Sequence, residues 1–181
     1  MFAAAEELLL ERGYHGFGLQ AVARRAGVGH ASVYRRWPSK AHLVHELLYP
    51  IGIDFQPPPH AGDLPALIRS LVDGTVATYS RPAMLAATPG LLADFHADPD
   101  LRPALQDRVE TGFRKRLHEL MTAMVEAGDV RPGLSTDALL GAISGAVLFA
   151  LYGMSPDRGL GPDFAAELTD LLLYGAAPRP Q

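Results

Sequence analysis

The chain has 181 residues, of which 48% are hydrophobic and 20% charged. This balance is typical of a soluble protein with a buried core and excludes a chain that is disordered along most of its length. The sequence contains no cysteine, which excludes disulfide bonds, zinc–thiolate sites, iron–sulfur clusters and cysteine nucleophiles. No charged segment followed by an apolar one opens the chain, so we expect no secretion signal and a cytoplasmic location.

Charge is distributed unevenly along the chain. The net charge is −4, but residues 1–50 carry six basic and four acidic residues, whereas residues 51–181 carry ten basic and sixteen acidic ones. A small basic module on an acidic body fits this asymmetry, while the overall negative charge argues against a nucleic-acid coat protein.

Apolar residues recur at helical spacing along almost the whole chain, and no stretch shows the alternation of a half-buried strand. The sequence therefore predicts an all-α fold. In the N-terminal part the pattern predicts four helices, over residues 2–12, 19–25, 30–37 and 40–49. Gly13 and Pro38 are stop signals for the first and third of these helices, and Ser39 is a candidate N-cap for the fourth.

Residues 50–63 interrupt this pattern, because Pro50 and the run Pro57-Pro58-Pro59 cannot lie together inside a helix. We predict a linker here, between one domain at residues 1–49 and another at residues 50–181. The second domain is predicted to contain five helices, over residues 64–79, 82–95, 99–127, 135–152 and 162–172.

Candidate caps mark several of these later helices. Asp63 is predicted to cap the first of them, and Asp98-Pro99 is read as an N-cap followed by the first helical residue of the third. The second helix is predicted to break near Pro89-Gly90, since proline removes a helical hydrogen bond.

Residues 13–40, GYHGFGLQAVARRAGVGHASVYRRWPSK, contain a short helix, a four-residue turn and a second short helix. This is the geometry of a helix-turn-helix, in which small residues at Ala23 and Ala26 let the helices cross closely and Gly27 permits the turn. Val33 and Trp37 are four residues apart and are predicted to face inward. The other faces of the second helix would be free to reach a DNA groove or phosphates; they carry Ala31, Ser32, Arg35 and Arg36.

This segment resembles the DNA-binding domain of TetR-family transcriptional regulators. The resemblance covers about the first fifty residues and is carried, at the family's spacing, by Gly13-Tyr14, Val22-Ala23, Ala26-Gly27-Val28, Tyr34, Trp37 and Lys40. Three positions depart from the family pattern. Gly18 and Gly29 stand where the family commonly has a capping serine or threonine, and Trp37 stands where it has phenylalanine.

The resemblance implies an N-terminal three-helix domain with a helix-turn-helix, followed by a helical ligand-binding and dimerisation domain. It implies base or backbone contacts to double-stranded operator DNA from His30, Ala31, Ser32, Arg35 and Arg36, and phosphate contacts from Tyr34 and Lys40. Lys40 lies in the first turn of a helix, where its charge opposes the macrodipole, and a phosphate bound there would offset this cost.

Residues 138–154 form an uncharged run of seventeen residues that includes Gly141-x-x-x-Gly145, a spacing typical of close helix contacts. The run is short for a bilayer and is flanked by Asp137 and Asp157, so we favour a helix buried in a bundle over a membrane span. In TetR-like proteins the last two helices form a dimer interface. The resemblance implies a homodimer here through Gly141, Gly145, Ala146, Leu148, Leu168, Leu171 and Leu172.

The resemblance also implies an effector pocket among the C-terminal helices. Its candidate lining residues are Tyr79, Met84, Phe95, Phe113, Met121, Met124, Phe149 and Tyr152. Most of them are apolar and methionine adapts to varied shapes, so the set favours a mostly apolar or aromatic effector over a sugar phosphate or nucleotide.

These features together predict a ligand-responsive regulator, by family habit a repressor, that binds a near-palindromic operator as a dimer. One alternative is a helical small-molecule-binding protein whose DNA-binding half is weak or vestigial. Another is an enzyme that uses Asp94, His96 and Asp98, although their spacing matches no familiar metal site. The sequence contains no P-loop, dinucleotide fingerprint or GxSxG elbow, so we expect no catalytic residues, no cofactor and no metal.

Overall fold

The structure is a computed structural model that describes residues 1–49, 62–153 and 160–175, without the side chains of residues 106–111. Within these ranges the regular elements are helical, as predicted. The α-helices are α1 (Phe2–Arg12), α2 (Leu19–Arg25), α3 (His30–Arg36), α4 (Lys40–Leu48), α5 (Leu64–Tyr79), α6 (Pro82–Ala97), α7 (Leu101–Ala127), α8 (Thr136–Leu148) and α9 (Phe164–Tyr174). The predicted linker at residues 50–63 lies almost entirely outside the described residues.

The described helices fall into two compact units. The first contains α1 to α4, α6 and the start of α7 up to Phe113, and the second contains α5, the rest of α7 from Arg114, α8 and α9. This grouping by contacts differs from a division of the sequence at residue 50, because α6 packs with the N-terminal helices. The predicted domain boundary stays a prediction.

The first unit has a core in which α1 packs against α2, α4 and α6. Leu8, Leu9, Val22, Leu43 and Val44 are each at most 1% exposed. Burial of such aliphatic side chains contributes about 1.5–3 kcal/mol each before the entropy cost of folding is subtracted. The helix faces predicted from apolar spacing are therefore the faces that form this core.

Polar contacts at the surface and at a helix end supplement this packing. Arg25 on α2 donates two parallel hydrogen bonds of 2.8 Å to the carboxylate of Glu11 and one of 3.2 Å to Glu7, both on α1. Arg81, just before α6, donates to the carbonyl oxygen of Leu48 at 2.6 Å and so satisfies a free acceptor in the last turn of α4.

In the second unit α5 packs against α8 and α9. Leu67, Val72, Ile143 and Val147 are buried in this contact at 2% exposure or less. The predicted cap at Asp63 is confirmed here, and Ser135 caps α8 in the same way. The Asp63 carboxylate accepts from the Ala66 amide at 2.9 Å, and the Ser135 hydroxyl accepts from the Ala138 amide at 3.2 Å.

Several predicted helix bounds differ from the structure by a few residues, including those of α9, which begins at Phe164 instead of residue 162. α6 continues through Pro89 to Ala97, because a proline removes one hydrogen bond without ending a helix that is packed on both sides of it. α7 begins at Leu101, since the Asp98 carboxylate accepts from the Asp100 amide and keeps Pro99 in the preceding turn. α8 ends at Leu148, and a wider π-helical turn continues to Gly153.

Candidate nucleic-acid interface

The turn between α2 and α3 has the hydrogen bonding of a Schellman motif. The Val28 amide donates to the Ala23 carbonyl at 3.0 Å, and the Gly27 amide donates to the Arg24 carbonyl at 3.3 Å. Gly27 adopts a φ of 66°, in the left-handed region where a side chain is strained. The sequence requirement for glycine at this turn is thereby explained, and the turn fixes the direction in which α3 leaves α2.

α3 is exposed over most of its surface. Val33 is fully buried and Trp37, which follows the helix, is 1% exposed, so the predicted inward face is confirmed. The remaining side chains of the helix point into solvent: His30, Ala31, Ser32, Tyr34, Arg35 and Arg36. The His30 and Tyr34 rings contact each other at a centroid distance of 4.5 Å on this surface. A helix anchored at only two apolar positions leaves these six side chains available to a groove.

The N-termini of α2 and α3 have no side-chain caps. Gly18 and Gly29 occupy the two N-cap positions in extended conformations, and no side-chain hydrogen bond is made at either helix start. The α3 N-terminus is held by backbone alone, through the Ser32 amide donating to the Gly29 carbonyl at 3.0 Å. Amide groups at both helix starts therefore remain open to a phosphate oxygen or water.

The end of α3 is tied to α4 by a carboxylate that the sequence pattern does not single out. Glu46 accepts a hydrogen bond from the indole N–H of Trp37 at 2.7 Å and another from Arg36 Nη2 at 2.8 Å. The Arg36 guanidinium also stacks over the Trp37 ring, with Cζ 4.6 Å from its centroid. A buried tryptophan needs an acceptor for its N–H, and this requirement is the sequence signal that could have found Glu46.

Lys40, a predicted phosphate contact, has a partner inside the protein. Its Nζ donates to the backbone carbonyl of Tyr14 at 2.7 Å and lies 4.0 Å from the centroid of the Tyr14 ring. Desolvation lowers the pKa of Lys40, and the negative charge of Asp94 opposes that change. These contacts supply a structural reason for a lysine in the first turn of α4. Its contact with DNA stays a prediction.

Asp94, named in the enzyme alternative, accepts a hydrogen bond from the Tyr14 hydroxyl at 2.5 Å. Burial raises the pKa of Tyr14, and the hydrogen bond and charge of Asp94 raise it further. His96 and Asp98 do not join Asp94 in a ligand cluster. Among the residues that the structure describes, no group of three or more histidine, cysteine, aspartate or glutamate side chains could hold a metal ion.

The predicted effector residues divide between the two units. Met84, Phe95 and Phe113 lie in the first unit, where Met84 is fully buried and the Phe95 ring lies 6.5 Å from that of His45 on α4. The others lie in the second unit: Tyr79, Met121, Met124, Phe149 and Tyr152. Met121 and Met124 are each 3% exposed. The assignment of these residues to a pocket stays a prediction.

Phe149 has surroundings unlike those of the other candidates. It is 65% exposed and lies eight residues after Gly141 and four after Gly145, both of which are also exposed on α8. Since residues four apart share one helix face, Phe149 extends the predicted dimer surface rather than the interior of the unit.

A surface concavity of about 630 Å³ runs along α5. It is lined by Ala66, Arg69, Ser70, Asp73, Gly74 and Ala77. None of the predicted effector residues lines it, so this open groove is not the pocket that the sequence predicts.

The predicted dimer residues are mostly accessible in the single chain. Gly141 and Gly145 are exposed, Ala146, Leu148 and Leu172 are partly exposed, and Leu171 is 54% exposed. Leu168 differs, because it is 7% exposed and belongs to the core of the second unit. Tyr174, which is not among the predicted dimer residues, is 50% exposed at the end of α9. α8 and α9 thus present an apolar surface to solvent.

The segment Thr136–Gly153 is long and apolar enough to cross a bilayer, by length and composition alone. Its buried residues, including Ile143 and Val147, pack in the second unit. A core or interface helix of a soluble bundle passes the same test, so this property is weak evidence for a membrane span.

An exposed, basic helix joined by a tight glycine turn to a partly buried helix defines a helix-turn-helix DNA-binding protein. Two family models agree with this class. One, for bacterial regulatory proteins of the tetR family, matches residues 2–47, and one for a tetracyclin repressor-like C-terminal domain matches residues 58–172. The chain belongs to the TetR family of transcriptional regulators.

Individual proteins are similar over nearly the whole chain. An uncharacterized HTH-type transcriptional regulator of Mycobacterium tuberculosis is 26% identical over 99% of this chain and 87% of its own length. The crystal structure of the TetR family transcription regulator SCO0332 matches with a TM-score of 0.67 and 25% identity, over 98% of this chain and 96% of its own. That of FadR from Bacillus subtilis in complex with stearoyl-CoA matches with a TM-score of 0.65 and 19% identity, over 97% of each chain.

Proposed function

We propose that this regulator binds a near-palindromic operator as a homodimer through α3 and releases it when a small effector occupies the C-terminal helices. The effector is mostly apolar or aromatic, and the regulator acts in the cytoplasm as a repressor. The DNA-binding residues are those named from the sequence: His30, Ala31, Ser32, Tyr34, Arg35, Arg36 and Lys40.

The observation that supports DNA binding most strongly is the division of α3 into a buried anchor and an exposed basic surface. Val33 and Trp37 fix the helix, while Arg35 and Arg36 face solvent in its last turn. Arginine provides the planar donors that pair with guanine edges and phosphates. A helix held in this way can enter a major groove without unfolding the domain beneath it.

A homodimer is supported by the exposed apolar residues on α8 and α9. Gly141, Gly145 and Phe149 share one face of α8 and its π-helical turn, and Leu171 and Tyr174 are exposed on α9. Exposed apolar surface of this kind marks an interaction site. A two-fold dimer places two copies of α3 so that a near-palindromic operator can be read.

An effector with a large apolar part is supported by the composition of the candidate set and by one neighbour. FadR from Bacillus subtilis, whose fold this chain shares, was crystallised with stearoyl-CoA. For the effector to release DNA, it must bind the DNA-incompetent arrangement more tightly than the competent one.

DNA binding is tested by fluorescence anisotropy with two labelled duplexes of equal length. One carries the region upstream of the protein's own gene and the other a random sequence. Tighter binding to the upstream duplex, with competition by unlabelled upstream DNA, is the expected result. Absence of binding to either duplex at 50 mM salt would contradict the proposal.

The same experiment distinguishes this proposal from the alternative of a weak DNA-binding half. The uncapped helix starts at Gly18 and Gly29 favour that alternative. A weak DNA-binding half would bind both duplexes equally and poorly, while effectors would still stabilise the protein.

A further inference from the structure

Glu46 on α4 accepts hydrogen bonds from two side chains at the end of the recognition helix. Its Oε2 lies 2.7 Å from Trp37 Nε1, and its Oε1 lies 2.8 Å from Arg36 Nη2. The Glu46 side chain is 16% exposed, whereas that of Arg36 is 56% exposed. One carboxylate therefore joins a buried anchor of α3 to an exposed arginine on its DNA-facing surface.

This arrangement depends on the tryptophan. A phenylalanine ring at this position would have no N–H to donate. The Trp37 indole is 1% exposed and needs an acceptor. Once Glu46 serves this donor through one oxygen, its other oxygen is aimed at Arg36, whose guanidinium also stacks over the indole ring.

The contact has two consequences for a helix that meets DNA. It fixes the guanidinium in one orientation, which lowers the entropy cost of a directed base or backbone contact. It also neutralises one positive charge next to the phosphates, which weakens attraction to DNA of any sequence. The first effect increases the ratio of specific to random binding, whereas the second lowers affinity for both kinds of DNA.

We infer that Glu46 is a positioning residue for sequence discrimination, which holds Arg36 against Trp37 and withholds its charge from non-specific phosphate contacts. This inference rests on the proposed DNA-binding function. It assigns a role to a residue of α4 that lies outside the helix-turn-helix itself.

The test uses Glu46→Gln, because glutamine keeps an acceptor for the Trp37 N–H and removes the charge that binds Arg36. Affinity for a random duplex and for the upstream duplex is measured by anisotropy between 50 and 200 mM salt. The random duplex is expected to bind roughly fivefold more tightly at 50 mM salt, with the slope of log K against log salt steeper by about 0.9. The preference for the upstream duplex is expected to fall.

Two controls separate this role from a general change in charge. Glu6→Gln removes an exposed carboxylate from α1 and should leave the salt slope unchanged. In an Arg36→Gln background, Glu46→Gln should tighten random binding less than in the wild type, because it no longer releases an arginine. Equal tightening in that background, or in Glu6→Gln, overturns the inference.

A further readout needs no DNA. Trp37 is the single tryptophan of the sequence, so its fluorescence emission reports the charge beside the indole. Glu46→Gln should shift this emission. Arg36→Gln should also shift it, and because position 36 is exposed this second variant keeps the test available if Glu46→Gln fails to fold. Unchanged emission in Arg36→Gln overturns the inference. Loss of DNA binding by the wild-type protein, with both emission shifts present, would instead contradict the proposed function.

Discussion

Tyr14 and Gly90 approach each other so closely that no side chain larger than hydrogen fits at position 90. A Cβ atom built on Gly90 would lie 2.1 Å from Cδ1 of the Tyr14 ring and 2.5 Å from Cγ. The same ring carries the hydroxyl that donates to Asp94, one turn further along α6. α6 is thus joined to the turn between α1 and α2 by a ring that fits against its backbone and by a hydrogen bond.

Gly90→Ala is expected to destabilise the protein, although alanine is the better helix former. The added methyl group must displace the Tyr14 ring, and overpacking of this kind costs about 1–3 kcal/mol. The expected fall in Tm is roughly 5 °C for a chain of this size. Gly74→Ala is the matched control, because a Cβ at Gly74 on α5 meets no atom within 4 Å. That variant should be as stable as the wild type or more so, and an equal loss in both would contradict the steric explanation.

Alkaline pH is expected to destabilise the protein through Tyr14. Its pKa is raised in the folded state by burial and by Asp94, so it stays protonated there while the unfolded chain ionises near pH 10. The contribution of Tyr14 to the free energy of unfolding is therefore complete below about pH 10. It falls as pH rises above that value, by up to about 1.4 kcal/mol per pH unit.

Tyr14→Phe isolates this contribution. The variant loses the hydrogen bond to Asp94, which lowers its free energy of unfolding by about 1–2 kcal/mol at neutral pH. This difference from the wild type should shrink above pH 10. The effect of Lys40 has the opposite sign, because desolvation lowers its pKa from 10.5 and stability then rises with pH up to that value. Since both proteins contain Lys40, the difference between their urea-unfolding curves reports Tyr14. A deficit that stays constant up to pH 11 would contradict this assignment.

The sequence predicts the helix-turn-helix well because its requirements are local. The turn requires glycine at position 27 because φ is positive there, and Val33 and Trp37 share a helix face because they are four residues apart. Both features depend only on residues that are close together in the sequence. The predicted cap at Asp63 is also local and is confirmed.

Contacts between distant residues escape the same reasoning. Tyr14 and Asp94 are separated by 80 positions. Gly90, against which the Tyr14 ring packs, follows Pro89, and in the sequence this pair predicts a helix break. From the sequence alone Glu46 would be interpreted as a solvated surface charge, and only the structure shows that it accepts from the Trp37 N–H. The effector residues are harder still, since apolar side chains of a core and of a pocket have the same helical spacing.

Lys40→Ala is expected to weaken binding to all DNA sequences alike, because phosphate contacts position a protein without specifying bases. The slope of log K against log salt should become less steep by about 0.9. The variant also loses the bond to the Tyr14 carbonyl, so circular dichroism must first show that it is folded. Lys115→Ala, at an exposed position on α7, removes the same charge and should leave the slope unchanged. An unaltered slope in folded Lys40→Ala would argue that this lysine serves only the domain's structure.

Gly145→Leu is expected to lower the dimer fraction. A Cβ at Gly145 meets no atom within 4 Å in the single chain, so the monomer can accept the side chain while a partner helix cannot. Gly74→Leu, at another open and exposed glycine, is the control and should not change the oligomeric state. Light scattering at micromolar concentration provides the measurement. A monomeric wild-type protein would refute the proposed dimer, and an unaffected dimer in Gly145→Leu would place its interface elsewhere.

Apolar effectors are expected to stabilise the protein and to release it from DNA, whereas phosphorylated compounds without an apolar part should do neither. A ligand that binds only the folded state at 100 times its Kd contributes about 2.7 kcal/mol, which corresponds to a rise in Tm of roughly 5–10 °C. A thermal-shift panel should therefore pair fatty acids and aromatic acids with sugar phosphates and nucleotides, and stearoyl-CoA with coenzyme A alone.

Compounds that raise the Tm are then added to the complex with the upstream duplex, where release is read as a loss of anisotropy. Met124→Gln should reduce the shift, because it places an amide among apolar candidate residues, while Met124→Leu keeps the volume and should retain it. Stabilisation by coenzyme A alone, or release by sugar phosphates only, would show that the effector is recognised through phosphate and that the apolar pocket is wrong.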